Sequence, residues 1–184
     1  FAWIYSPTED PNVFAWDGVV PHPGSLSVEI NDGANGNNWI AVDTMGTVGL
    51  TQGGKVNRDG IGAVVSVLPA GGVTAMKPVL GGSSYASQDS LELLFGLGSG
   101  QDAAVEVLWP GGVRNRLYGV RASERILFPE IPCSFDAEWR NQGEYVSCLA
   151  RELGRLQRAG VLDHEGRMRF FRSAMEAYAK RHGS

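Results

Sequence analysis

A mainly β fold, an antiparallel sandwich or small barrel with a C-terminal two-helix hairpin, is what this sequence predicts. Three observations carry it. The 184 residues include 25 glycines, and many short strands need many tight turns. Short apolar or alternating runs recur at regular spacing as far as Phe128, the pattern of sandwiches and barrels. After Pro129 the chain changes to Arg, Glu, Ala, Leu and Met at helical spacing. The chain is therefore divided into an extended arm (1–24), a β domain (25–128) and a helical hairpin tail (129–184).

The arm holds Trp3, Tyr5, Phe14 and Trp16 among Pro7, Pro11, Pro21 and Pro23. Prolines deny ladder hydrogen bonds, which predicts an extended or edge segment. Its aromatics need burial on the domain or on a partner, so Trp3, Phe14 and Trp16 are partner-binding candidates. Leu26–Ile30 alternates as a strand, and the Asn-, Asp- and Gly-rich run 31–38 is a turn. Further strands are expected at Trp39–Val42, Ala63–Leu68, Val73–Leu80, Ser90–Phe95, Ala104–Trp109 and Arg114–Val120. Gly71-Gly72 and Gly111-Gly112 supply hairpin turns.

In the tail, Asn141-Gln142-Gly143-Glu144 has the form of a capping box. Val146, Leu149, Leu153 and Leu156 then share a helix face, and Gly160 ends the helix. Asp163 caps a second helix with Met168, Phe171, Met175 and Tyr178 on one face. Neither helix is stable alone, so both apolar faces must pack on each other, on the β domain or on another protein. The cap also bears on Cys133 and Cys148. A helix unbroken from Asp136 would carry Cys148 about 18 Å along its axis, out of reach of Cys133. A helix starting near Gln142 lets the two meet, so a disulfide requires a break at 141–143. That bond would place the protein in an oxidising space.

The net charge of −4 gives no electrostatic footprint for nucleic acid. No apolar run approaches a membrane span, and no signal pattern stands at the start. The chain opens on Phe1 rather than Met, as a processed or trimmed chain does. Catalytic machinery is not expected. His22, His164 and His182 are scattered, and the polar cluster Ser83, Ser84, Tyr85 and Ser87 has no base beside it. Glu92 and Glu106 sit at outward strand positions and read as solvated. No cofactor is expected unless calcium binds. Its candidates are Asp32, Asn35 and Asn37, with one carboxylate among them; Asn57 and Asp59 read better as turn residues. Arg155, Arg158, Arg169 and Arg172 are candidates for an acidic partner or anionic lipid headgroups, set against interspersed glutamates that favour ion pairing.

Four ordered motifs carry a resemblance: Asn57-Arg58-Asp59-Gly60-Ile61-Gly62-Ala63, Gly82 to Gln88, Leu93 to Gly98, and Val105 to Gly112. Gly36 to Val42 precedes them. In this order they resemble the ASPIC/UnbV domain of the cartilage acidic protein family, over roughly 31–128. The resemblance implies a secreted or lumenal, non-catalytic β domain used in adhesion or assembly. The family's usual FG-GAP propeller and EGF-like module have no counterpart in these residues. The expected function is protein-protein interaction or assembly, as a lumenal or extracellular accessory subunit of a larger membrane-associated complex. The expected location is extracytoplasmic: secreted, periplasmic or organelle lumen. The alternative is a calcium- or carbohydrate-binding domain of a secreted matrix protein, and the weaker one an enzyme.

Overall fold

The computed structural model describes residues 2–8, 14–20, 36–83, 85 and 87–183. They fall into two compact units, Phe1–Asn35 and Gly36–Ser184. In the first, β1 (Ala2–Pro7) and β2 (Phe14–Val20) pair antiparallel, from Ala2 opposite Val20 to Pro7 opposite Phe14. The arm is thus a hairpin. Its prolines signal against strand pairing, yet Pro7 is the last residue of β1, and a strand end loses least from a missing ladder bond. The expected strand Leu26–Ile30 lies outside the described residues.

The second unit contains two sheets. One is antiparallel, in the order β5 (Ala75–Pro78), β4 (Val64–Pro69), β7 (Asp102–Leu108), β8 (Arg114–Arg121). The other has β3 (Asn38–Met45) between β6 (Leu93–Gly98) and β9 (Glu124–Pro129). There β3 runs antiparallel to β6 but parallel to β9. Alternate residues of both sheets, among them Ile40, Val42, Phe95, Phe128, Val65, Val105, Val107 and Leu117, share one buried core. This is the sandwich the alternation predicts.

Three strands differ from expectation. The strand β9 is absent from the sequence reading, although Ile126 and Phe128 point inward while Arg125 and Leu127 point out. It joins the other sheet because the chain crosses between sheets at Ala122-Ser123, where Ser123 holds φ 63° and donates its amide to Trp39 O at 2.7 Å. Val73–Leu80 contracts to β5, and Ser90–Phe95 shifts to Leu93–Gly98.

The tail forms α1 (Gln142–Arg158) and α2 (His164–His182). Asn141 Oδ1 accepts the Glu144 amide at 3.0 Å. The return half of the capping box moves by one residue, because Glu144 accepts from the Arg140 amide at 3.0 Å. Asp163 caps α2 through the Gly166 amide at 2.7 Å. Both helices join the core of the sandwich. On α1 the buried face includes Leu149, Leu153 and Leu156 as expected, with Tyr145 and Cys148 in place of Val146. On α2 the face is rotated from the expected one: Phe170, Ser173, Ala174 and Ala177 are buried, while Phe171, Met175 and Tyr178 flank them and Met168 is exposed. Small side chains let the helix approach β8, whose Tyr118 amide donates to Ser173 Oγ at 3.1 Å. Phe170 meets Phe128 edge-on at 5.1 Å.

Cys133 and Cys148 form a disulfide with Cα atoms 6.1 Å apart, and α1 begins at Gln142 as that bond requires. No helix of the described residues is long and apolar enough to cross a membrane. Opening the disulfide, by dithiothreitol or Cys148→Ser, is expected to lower unfolding free energy by about 3 kcal/mol for a loop of this length. Urea denaturation with and without reductant measures it.

Candidate functional site

The connection between β3 and β4 is where chemistry and shape concentrate. It begins as a ladder: Gly46 N donates to Arg58 O at 3.1 Å and Val48 N to Val56 O at 3.3 Å. A side chain at Gly46 would put its Cβ 1.9 Å from Asn57 O, so only glycine permits this approach. Behind the loop lies Glu130, 1% exposed. Its carboxylate accepts the amides of Thr47 at 3.0 Å, Lys55 at 3.2 Å and Val56 at 3.2 Å, and the Thr47 hydroxyl at 3.0 Å. A second buried carboxylate, Glu152 on α1, accepts the Gln52 amide at 3.1 Å and pairs with Arg151 and Arg155. Two carboxylates therefore grip the loop from within. Its tip turns at Thr47, whose carbonyl accepts from Leu50 N and Thr51 N. The tip shows Val48 (57% exposed) and Leu50 (39%) to solvent.

The motif 57–63 is the closing turn of this connection. Asn57 Oδ1 accepts the Ile61 amide and its Nδ2 donates to the Ile61 carbonyl, both at 3.0 Å. The Asp59 carboxylate pairs with Arg58 rather than with the turn, while its carbonyl accepts from Thr44 Oγ1 at 3.1 Å. Gly60 holds φ 69°, and a Cβ there would lie 2.3 Å from Thr44 Oγ1 and 3.3 Å from Trp109. The indole nitrogen of Trp109 donates to Asn115 Oδ1 at 2.8 Å, which also accepts the Ile131 amide at 3.0 Å. Two separate motifs thus meet at one buried corner, next to the segment that carries Glu130.

A second feature lies where β5 and β6, an edge of each sheet, come together. A groove of about 380 Å³ runs between them, lined by Pro78, Leu80, Leu93 and Leu94. Leu80 is 49% and Leu94 53% exposed. Lys77 Nζ donates to Leu94 O at 2.7 Å and lies 5.4 Å from the Phe95 ring. Asp89 and Glu92 stand on the rim. Glu92 is paired with Arg125, whose guanidinium lies 5.6 Å from the Trp39 ring. Beside them, burial pushes the Asp43 carboxyl upward and Glu92 adds to it, against the pull of Arg125.

Glu92 and Glu106 are therefore not free solvated carboxylates. Alternation does place Glu106 on the outer face, but Arg116 stands directly opposite on β8 and pairs with it, as does Arg114. Cross-strand cations cover it. The arginine candidates separate. Arg155 donates to Gln52 Oε1 at 3.3 Å, Arg169 pairs with Glu124 and donates to Gly119 O at 3.2 Å, and Arg172 donates to Met168 O at 3.2 Å. Arg158 is exposed. Trp3 and Phe14 lie in β1 and β2, and Trp16 is exposed. Asp32 and Asn35 lie outside the described residues, and Asn37 is exposed. Among the described residues no three His, Cys, Asp or Glu side chains converge as a metal site. Glu130, Glu152 and Asn115 were not singled out by sequence reasoning. The available signal for Glu130 is its place inside the apolar run Ile126-Leu127-Phe128-Pro129-Glu130-Ile131.

Glu130→Gln is expected to cost about 1–3 kcal/mol, because an amide NH₂ would face donors. Hydrogen exchange at the Thr47, Lys55 and Val56 amides should quicken in the same variant. A second expectation concerns acid. Burial raises the Glu124 carboxyl, but hydrogen bonds from Arg169 and the Arg121 amide, with both charges, bring it below its ordinary 4.5. Its contribution to stability is complete above pH 4.5 and is lost as pH falls through the lower folded value. Glu124→Gln should flatten that part of a pH series of thermal melts.

No curated protein matches the chain. Residues 53–133, which include the gripped loop from Gly53, the groove and the Trp109 corner, match the family model described as ASPIC and UnbV.

Proposed function

We propose that the Gly36–Ser184 unit is a non-catalytic module that binds another protein and serves as an accessory part of a larger assembly. The groove between β5 and β6 carries this reading. It combines exposed Leu80 and Leu94 with two sheet edges, whereas the edge at β8 is met by α2 through Ser173. Open edges with apolar pockets take up extended segments: backbone bonds give affinity and alternate side chains enter the pocket. The occupant of this groove is an extended partner segment with apolar side chains. The apolar faces of the hairpin support a surface role for the groove, since both helices are used inside the unit.

The Cys133–Cys148 bond supports an oxidising, extracytoplasmic location. The match to ASPIC and UnbV supports a domain that works by interaction. A photo-crosslinking residue at Leu94, in protein expressed in its source, should yield one discrete covalent partner, and Leu80→Asp should abolish that adduct with an unchanged melting temperature. A diffuse or absent adduct, or one that survives Leu80→Asp, refutes the reading.

A further inference from the structure

From a different surface we infer that the loop tip at Val48 and Leu50 docks the protein onto an anionic lipid bilayer. The tip is held from behind by Glu130 and Glu152, so its aliphatic side chains are presented without ordering the loop on contact. Basic groups surround it. Lys55 and Arg58 belong to the same connection and are exposed. On α1, Arg151, Arg155 and Arg158 follow at steps of four and three residues, and Arg155 touches Gln52, two residues from Leu50. The acidic groups that meet them are Asp59, which pairs with Arg58, and Glu152, which pairs with Arg151 and Arg155, with Glu130 buried behind the loop, so these five cations outnumber the three carboxylates. A protein of net charge −4 therefore carries a locally cationic surface around two exposed aliphatic side chains.

That combination matches a membrane interface. Val48 and Leu50 would enter the headgroup boundary while the long basic side chains reach lipid phosphates. Each basic side chain held near an anionic surface strengthens binding about fivefold, and neither aliphatic burial nor charge suffices alone. An acidic protein segment would engage the basic side chains alone, whereas a bilayer also takes up the exposed Val48 and Leu50, and this pairing favours the bilayer.

Co-sedimentation with vesicles tests this. The protein should sediment with phosphatidylcholine–phosphatidylglycerol vesicles and not with phosphatidylcholine alone, and high salt should release it. Val48→Ser with Leu50→Ser should weaken binding about tenfold, and Lys55→Gln with Arg158→Gln about 25-fold, both at unchanged melting temperature. Leu80→Asp, which addresses the groove, should leave vesicle binding intact. The inference is overturned by equal binding to both vesicle types, by well-folded variants that bind like the parent, or by no binding at all. It is equally overturned if polyglutamate binds through Lys55 and Arg158 while anionic vesicles do not, which would assign the surface to an acidic protein.

Discussion

A carboxylate taken out of water costs several kcal/mol unless donors surround it, and Glu130 meets that requirement with three backbone amides and a hydroxyl of one loop. The arrangement works in both directions. The loop satisfies the charge, and the charge fixes the loop, whose amides would otherwise face the core without partners. Glu130 directly follows β9, its own amide donates to Met45 O at 2.7 Å, and Met45 ends β3. The parallel β3–β9 pair thus delivers the carboxylate to the point where the loop departs. Three residues further on, Cys133 ties the same segment to α1. One turn beyond Cys148 on that helix, Glu152 takes the Gln52 amide. Sheet, helix and loop are coupled through this short segment.

The coupling explains why the helical tail is part of the domain's construction. Tyr145 stacks on Tyr178 at 4.7 Å, and its hydroxyl donates to the Ala174 carbonyl, locking the two helices together. Lys180 lies 4.3 Å from the Tyr118 ring and Ser173 meets the Tyr118 amide, so α2 covers β8 with polar as well as apolar contacts. An edge that would otherwise attract another strand is closed. The edges at β5 and β6 receive no such cover from the helices, and binding is assigned there for that reason.

Polar groups inside the unit follow one rule. Glu106 lies beneath Arg114 and Arg116, Glu152 beneath Arg151 and Arg155, and Asn115 between Trp109 and Ile131. Among the described residues no buried side-chain nitrogen or oxygen lacks a partner. Such satisfied networks specify one arrangement of loops on a sandwich whose apolar core alone would tolerate several. The exposed aliphatic groups at the loop tip and the groove stand outside these networks.

The sequence by itself determined a mainly β domain, both helices and the cap at Asn141, and it tied a disulfide to a helix break at 141–143, because alternation, helical periodicity and capping are local signals. Its ordered glycine and aromatic motifs also carried the resemblance to the ASPIC/UnbV domain, and the model of that family matches residues 53–133. It did not show β9, since a strand that pairs in parallel with a distant one carries no turn to announce it. It misplaced the buried face of α2, because Ala and Ser can sit against a strand more closely than Met and Phe, and only the neighbouring β8 selects between them. Sequence reasoning does not single out Glu130, and Glu152 counts only among the interspersed glutamates of the tail, until the loop that fills their hydrogen bonds, 74 and 100 residues away along the chain, is in place. Tertiary structure decided these points because burial of a charge depends on which distant amides arrive to meet it, and sequence spacing does not encode that meeting.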